Sequence, residues 1–416
     1  MIAVLVFLTL IILGYLWLVR NFSYWKNKNV LYLNPVPFFG NAYKIITCKE
    51  SLNMFLEKIY NVTSEPFFGF FILNQPYLLV RDPDLIKDVL VKDFEYFSDR
   101  NILINKNDKY GSRMLFMLKN PEWKITRNKA STAFSPAKIK NMTNLMITNS
   151  KKLIENIEMF IAKNELVNFR DLSIKYAIDI ISSCGFGIEA HSYHNSEFSI
   201  ATSNLQGNTF TRNIQAAAHF YAPFFVKLFG FKFIDPKSGQ FAEKVFLAEI
   251  AKRKLDRQSK DDDALVALAI QIFLAGFETI SVSIFCILYE LSVNDCLQIR
   301  LRNEIFKVLG DNENITIDVI RQIDYLDMVI KEGFRKYPSV PFLDRICTRN
   351  YKIPNSNVVI EKGIPVSISI FGLHHDPKYF PNPEKFDPER FSTENKSDIT
   401  PYTYIPVVNR KYDIIT

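Results

Sequence analysis

From Ala264 to Leu291 the chain is almost free of charge, and only Gly276 interrupts a run of helix-forming residues. About twenty-eight residues at ~1.5 Å rise per residue would span ~42 Å, against an average helix of ~11–12 residues. Asp261, Asp262 and Asp263 precede the run and complement the dipole of a helix starting there. In its middle, Ala275-Gly276-Phe277-Glu278-Thr279 sets an acid beside an alcohol. Burying that carboxylate costs roughly several kcal/mol unless something pairs with it or needs it. Gly276 removes side-chain bulk where a ligand could lie against the backbone. A second membrane span is disfavoured, because charges flank the run and sit at its centre. The segment therefore predicts a helix that crosses a whole domain and carries a proton-handling pair, Glu278 and Thr279.

The rest of the composition fits a large globular protein. The 416 residues are 48% hydrophobic and 23% charged, enough to bury a sizeable core. The net charge of +7 is spread along the chain without a basic block, which argues against a nucleic-acid partner. Five cysteines lie far apart with no CxxC pair, so neither a disulfide framework nor a zinc site is indicated. Phenylalanine is abundant, at 36 residues, and clusters at 67–71 and 220–233. Such clusters suit core packing, an apolar pocket or a membrane-facing loop.

Residues 2–19 are an unbroken apolar stretch followed by Arg20, Lys26 and Lys28. Eighteen residues are just enough to cross a bilayer. The basic flank would keep the remainder cytosolic, and the stretch reads as a retained signal-anchor over residues 1–20. Residues 21–45, with Asn34-Pro35-Val36-Pro37-Phe38-Phe39-Gly40, read as a basic, proline-rich hinge. Residues 46–416 read as one catalytic domain.

Three further segments carry charge in unusual settings. Glu332 and Arg335 are neighbours on one helix face at i, i+3, and Tyr337-Pro338 ends that helix. Arg390 lies between aromatics in Phe386-Asp387-Pro388-Glu389-Arg390-Phe391, where its fixed fork of donors could reach the Glu332–Arg335 pair. Trp123 and Arg127 stand one helical turn apart, an arrangement that suits a planar ligand bearing carboxylates.

Taken in order, the anchor and proline segment, Trp123 to Arg127, Ala275 to Ser281, Glu332 to Arg335, and Asp376-Pro377-Lys378-Tyr379-Phe380 through Phe391 resemble a cytochrome P-450. The type is the insect microsomal haem-thiolate monooxygenase, and the resemblance covers nearly the whole chain. It implies a mainly α fold with a minor β-region, drawn partly from 77–80 and 358–369, behind one N-terminal membrane anchor helix. It implies haem as cofactor, an NADPH-cytochrome reductase as electron donor, and insertion of one oxygen atom into lipophilic molecules at the cytosolic face of the endoplasmic reticulum membrane. By the same resemblance, Arg100, Trp123, Arg127 and Arg345 contact the haem propionates. Ala275 and Gly276 lie over the haem face, and Glu278 and Thr279 handle water and protons. Glu332, Arg335 and Arg390 form a buried structural network. The phenylalanine-rich stretch 220–233 falls where the family carries a channel roof.

The chain departs from the pattern in two places. The family continues from a segment like Pro401-Tyr402-Thr403-Tyr404-Ile405-Pro406 into a loop bearing the iron-ligating cysteine. Here Val407 to Thr416 follow, and there is no cysteine after Cys347. The expectation is a C-terminally truncated catalytic domain lacking its axial thiolate, the device that favours O–O cleavage. Cys184 and Cys347 are expected to be inert buried thiols, and His374-His375 a poor metal site. Between Phe246 and Asp261 the sequence is also shorter than the pattern, as after an internal deletion. The alternative to a monooxygenase is therefore a non-catalytic, membrane-anchored remnant.

Overall fold

The computed structural model describes residues 2–47, 49–103, 105–194, 209–252, 262–310 and 315–406. Chain contacts divide the protein into two compact units. The first holds residues 1–101, 340–385 and 397–415, and the second 102–339 and 386–396.

The first unit starts with α1 (Ile2–Val19), whose side chains bury nothing. It continues through α2 (Leu52–Tyr60), which Ser51 caps by accepting from Met54 N at 3.3 Å. A four-stranded sheet follows in the order β1 (Phe67–Ile72), β2 (Gln75–Val80), β6 (Pro365–Ser369), β3 (Phe342–Ile346). β1–β2 and β3–β6 are antiparallel, while β2–β6 is parallel. A second small ribbon pairs β4 (Tyr351–Lys352) with β5 (Val359–Ile360). β1, β2 and β6 are buried on both faces, which is why they read as continuous apolar runs and not as alternating ones. The phenylalanines of 67–71 thus belong to a core strand.

Residues 21–45 do not stand off as a spacer. Trp25 is fully buried, and Val30 and Ala42 nearly so. Tyr32 bridges Gly69 of β1, and Gly69 has no side chain because a Cβ there would meet the Trp25 ring at 2.4 Å. An aromatic close to the anchor has turned the proline segment into an extra layer of the sheet unit.

The second unit is helical. It contains α3 (Glu122–Ser131), α4 (Thr143–Ala162), α5 (Phe169–Ile181), α6 (Phe210–Tyr221), α7 (Pro223–Phe229), α8 (Pro236–Lys252), α9 (Asp262–Val293), α10 (Asp295–Leu309) and α11 (Asp324–Lys336). α9 is the predicted long helix and has 32 residues. It begins at the aspartates: Asp263 pairs with Lys109 at 3.2 Å and Arg113 at 3.0 Å. Val266, Ala267, Ile270, Phe273 and Phe277 recur at three- and four-residue spacing on its buried face. They pack with Ala177, Ile178 and Ile181 of α5. Gly333 lets α11 approach α9 closely, since a Cβ there would meet Ile287 at 2.4 Å.

The phenylalanine-rich stretch is split. Phe220 and Phe233 face inward beside Phe116, whereas Phe224, Phe225 and Phe229 of α7 are exposed. The ends of this stretch are sewn to the segment after Ile102. Leu103 N donates to His219 O at 3.1 Å, and His219 Nδ1 lies 2.9 Å from Leu103 O. Asp108 accepts from Phe233 N at 2.6 Å, and Asn105 donates to Phe231 O at 2.9 Å. His219 is buried, and that burial, reinforced by Arg212, lowers its pKa below the usual 6.5.

Candidate functional site

The Ala275–Thr279 turn lies mid-way along α9, and Gln271 one turn earlier accepts from Phe116 N at 2.8 Å. Ala275 and Glu278 are exposed and Thr279 is half-buried. At i, i+3 and i+4 these three share one face of the helix. The carboxylate is therefore not buried, contrary to the expectation from its apolar neighbours, while Phe277 takes the inward direction. Thr279 Oγ1 donates to Ala275 O at 2.6 Å. Its proton is committed to the preceding turn, which leaves the oxygen to accept from a second group. Gly276 also has a packing role. The direction of a Cβ is occupied by Ile181 Cδ1 at 2.6 Å, so the glycine admits α5.

Glu332, Arg335 and Arg390 come together in the second unit. Glu332 and Arg335 are fully buried. Arg335 Nε donates to Glu332 Oε2 at 2.7 Å and an Nη to Oε1 at 2.9 Å, a bidentate pair. Oε1 also accepts from Asp387 N at 2.9 Å and faces Arg390 Nε at 3.5 Å. The i, i+3 spacing on α11 supplies the pair, and the short 3-10 turn Pro388–Phe391 brings the third member. This cluster is closed.

Arg100 and Arg345 come together in the first unit. Asp99 and Ile346 form an antiparallel bridge, with Ile346 N donating to Asp99 O at 2.8 Å, and this sets Arg100 opposite Arg345 on the neighbouring strand. Like charges directly opposite are unfavourable. The acid of this cluster is Asp344, which sequence reasoning did not single out. Its Oδ2 accepts from Asn101 N at 2.6 Å, and Oδ1 lies 3.7 Å from Arg100. Arg345 donates at 2.7 Å to the Asp344 backbone carbonyl instead. Burial first, and Arg100 second, push Arg345 down from 12.5 to about 9. Two guanidiniums thus stand beside the carboxylate of Asp344 in a largely buried place. A carboxylate-bearing ligand relieves that arrangement, so these residues fit the acidic edge of a haem.

Trp123 and Arg127 are half-buried on α3, one turn apart, in the second unit. No thiolate suited to iron stands among the four described cysteines. Cys296 is exposed, and Cys184 and Cys286 are half-buried with pKa values raised by burial. Cys347 donates to Arg349 O at 2.7 Å and burial raises it to about 11. These three are thiols, as expected of inert cysteine. Cys48 and residues 407–416 lie outside the described residues. His374 does not act as a ligand either. Its Nε2 accepts from Ile405 N at 3.0 Å, and among the described residues no cluster could hold a metal ion.

Comparison with known proteins places these features. A family model described as Cytochrome P450 matches residues 31–245 and 235–406. The two matched ranges meet and overlap at 235–245, inside α8. Cytochrome P450 6k1 of Blattella germanica is 36% identical, across 97% of this chain and 85% of that protein. Cytochrome P450 6j1 of the same organism is 34% identical, across 96% and 84%. Probable cytochrome P450 6v1 of Drosophila melanogaster is 32% identical, across 94% and 84%.

Proposed function

Because the chain belongs to the cytochrome P450 family of haem monooxygenases, which oxidise lipophilic molecules with electrons from a reductase, we propose that its oxygen chemistry is served by the Ala275–Thr279 turn of α9. Nothing in the comparisons favours a non-catalytic remnant. The observation that carries the assignment is the pairing of an exposed carboxylate with a hydroxyl whose proton is already used. Thr279 Oγ1 can accept a hydrogen bond from water and hold that water still. Glu278, on the same face, is the exchangeable carboxyl that resupplies its proton. Ala275 and Gly276 are assigned to the haem face.

Arg100, Arg345, Trp123 and Arg127 are the groups assigned to the two haem propionates. The Arg100–Arg345 pair supports this most directly, because two adjacent, largely buried guanidiniums suit a carboxylate. Glu332, Arg335 and Arg390 hold the fold and touch no substrate. When bound, the haem supplies the iron that binds and activates dioxygen. The protein's own part is to fix the group by its acidic edge, exclude bulk water with the apolar wall of α9, and deliver protons at Thr279.

The electron donor is assigned as an NADPH-cytochrome reductase. The location is assigned as the endoplasmic reticulum membrane with the catalytic part cytosolic. Support comes from α1, which is long and apolar enough to span a bilayer, and from the basic residues Arg20, Lys26 and Lys28 after it. Retention after carbonate extraction tests the anchor, and release into the soluble fraction would refute it. The activity is tested by supplying haem, an NADPH-dependent reductase, a lipophilic probe and isotopically labelled dioxygen. One labelled oxygen in the product is the expected outcome. Bound haem with no labelled product would contradict the assignment. In the same assay, Thr279→Ala should divert NADPH into peroxide and lower product by ~10²-fold or more.

A further inference from the structure

The C-terminal end of α1 is joined to the tip of the β1–β2 hairpin by side chains that no other feature of the fold requires. Asn21 Nδ2 donates to Asn74 O at 3.0 Å, and Asn74 Nδ2 returns a longer bond, 3.4 Å, to Trp17 O. Trp17 O is one of the last carbonyls of α1. Phe22 meets Phe71 of β1 edge-on at 5.3 Å. Behind it, Trp25 is locked over Gly69, and Lys28 binds Val359 O at 2.9 Å and forms an ion pair with Glu361.

The opposite side of the hairpin tip is gripped as well. Leu73 N donates to Phe39 O at 3.2 Å, and Asn41 exchanges two 2.7 Å bonds with Phe71. Gly40, at φ +60°, sits so close that a Cβ would meet Leu73 O at 2.6 Å. The turn residue Leu73 is held at φ +53°, a left-handed conformation that a leucine keeps only where its surroundings over-determine it. Residues 17–41 thus enclose the hairpin tip from both sides.

We infer that this enclosure is a rigid mount for the membrane anchor, so that α1 leaves the first unit in one fixed direction and the hairpin tip at Leu73–Asn74 rests at the lipid headgroups. The inference rests on the reading of α1 as a bilayer span. Eighteen residues at ~1.5 Å rise give ~27 Å, close to the ~30 Å hydrocarbon core, which puts Trp17 and Arg20 at one interface. Whatever binds Trp17 O lies at that depth. The partner is a bilayer surface, and the exposed apolar residues Val36, Phe38, Tyr43 and Ile46 in and just beyond the same enclosure suit it. A loose tether of some twenty residues would let the unit wander by about 25 Å.

The test is a spin-label distance within the full chain in phospholipid nanodiscs. Labels go on Leu5→Cys in α1 and Lys58→Cys in α2, with Cys296→Ser to remove the exposed thiol. A single narrow distance distribution is expected. The shape-preserving double variant Asn21→Asp with Asn74→Asp, which deletes both donors, should widen it roughly two-fold or more while leaving far-ultraviolet circular dichroism unchanged. A broad distribution before substitution, or one unaltered by it, would overturn the mount. Co-flotation with phosphatidylcholine vesicles is scored on the same samples. Failure to float removes the membrane reading itself, whereas flotation with a broad distribution removes only the mount.

Discussion

Two clusters in this molecule have the same composition, two arginines and one carboxylate, yet they are built for opposite ends. In the Glu332–Arg335–Arg390 cluster the carboxylate is the hub. It takes a bidentate guanidinium, a backbone amide and a second arginine, and its pair with Arg335 is sealed from water. In the Arg100–Asp344–Arg345 cluster the carboxylate stands off at 3.7 Å from one arginine, and the other arginine turns to a backbone carbonyl. The first arrangement satisfies its charges internally. The second leaves the carboxylate of Asp344 beyond hydrogen-bond distance of Arg100, a looser geometry that a bound carboxylate would suit. Geometry around the acid, and not the residue list, separates the network proposed to hold the fold from the one proposed to hold a ligand.

The sharpest way to break this comparison is Glu332→Ala. Deleting one member of a buried pair leaves the other uncompensated and costs ~3–5 kcal/mol, so the variant should lose most of its soluble, cooperatively melting protein. A variant that melts like the parent would mean the cluster is not structural. Arg345→Gln should do the reverse. Apo-protein stability should hold or rise, since a buried and repelled cation is removed, while haem affinity measured by Soret titration should fall ~10–100-fold, the worth of a charged hydrogen bond of ~1.5–3 kcal/mol. Asp344→Asn sharpens the contrast with a smaller effect. It should lower the thermal midpoint by the equivalent of ~1–2 kcal/mol and leave haem affinity undiminished, because the charge of Asp344 beside the two guanidiniums is removed.

The smallest expected effect is a control for the second unit. His219 has a lowered pKa in the folded protein, so the unfolded chain takes up its proton first as pH falls. Its contribution to stability is full above pH 6.5 and declines as pH drops toward the folded value. The denaturant midpoint should therefore slope downward below pH 6.5, and His219→Gln should flatten that slope. If His219→Gln left the slope unchanged, the acid sensitivity would belong to another group.

Much of this was legible in the sequence. The length of α9, the Glu332–Arg335 spacing and the apolar helix α1 follow from periodicity and charge, because helical neighbours are fixed by local geometry. Arg390 could be matched to its partners because a proline-broken turn confines it. Asp344 was missed, since its role depends on a bridge between Asp99 and Ile346, far apart in sequence. A signal was present: an acid and an arginine adjacent inside a short apolar strand. The exposure of Glu278 and the true neighbour of Gly276 were also hidden, because which face of α9 meets α5 is decided by tertiary packing. Residues 21–45 looked like a spacer because prolines stiffen a chain, whereas the burial of Trp25 decides where that chain lies.

The central claim is that Arg100 and Arg345 exist to hold the carboxylates of a haem. Titrating the chain with haem and with its dimethyl ester, whose propionates carry no charge, tests it without any need for turnover. The ester should bind at least ~10-fold more weakly, and the difference should disappear in Arg345→Gln. Equal affinity for the two compounds, or an ester penalty that survives the substitution, would contradict it.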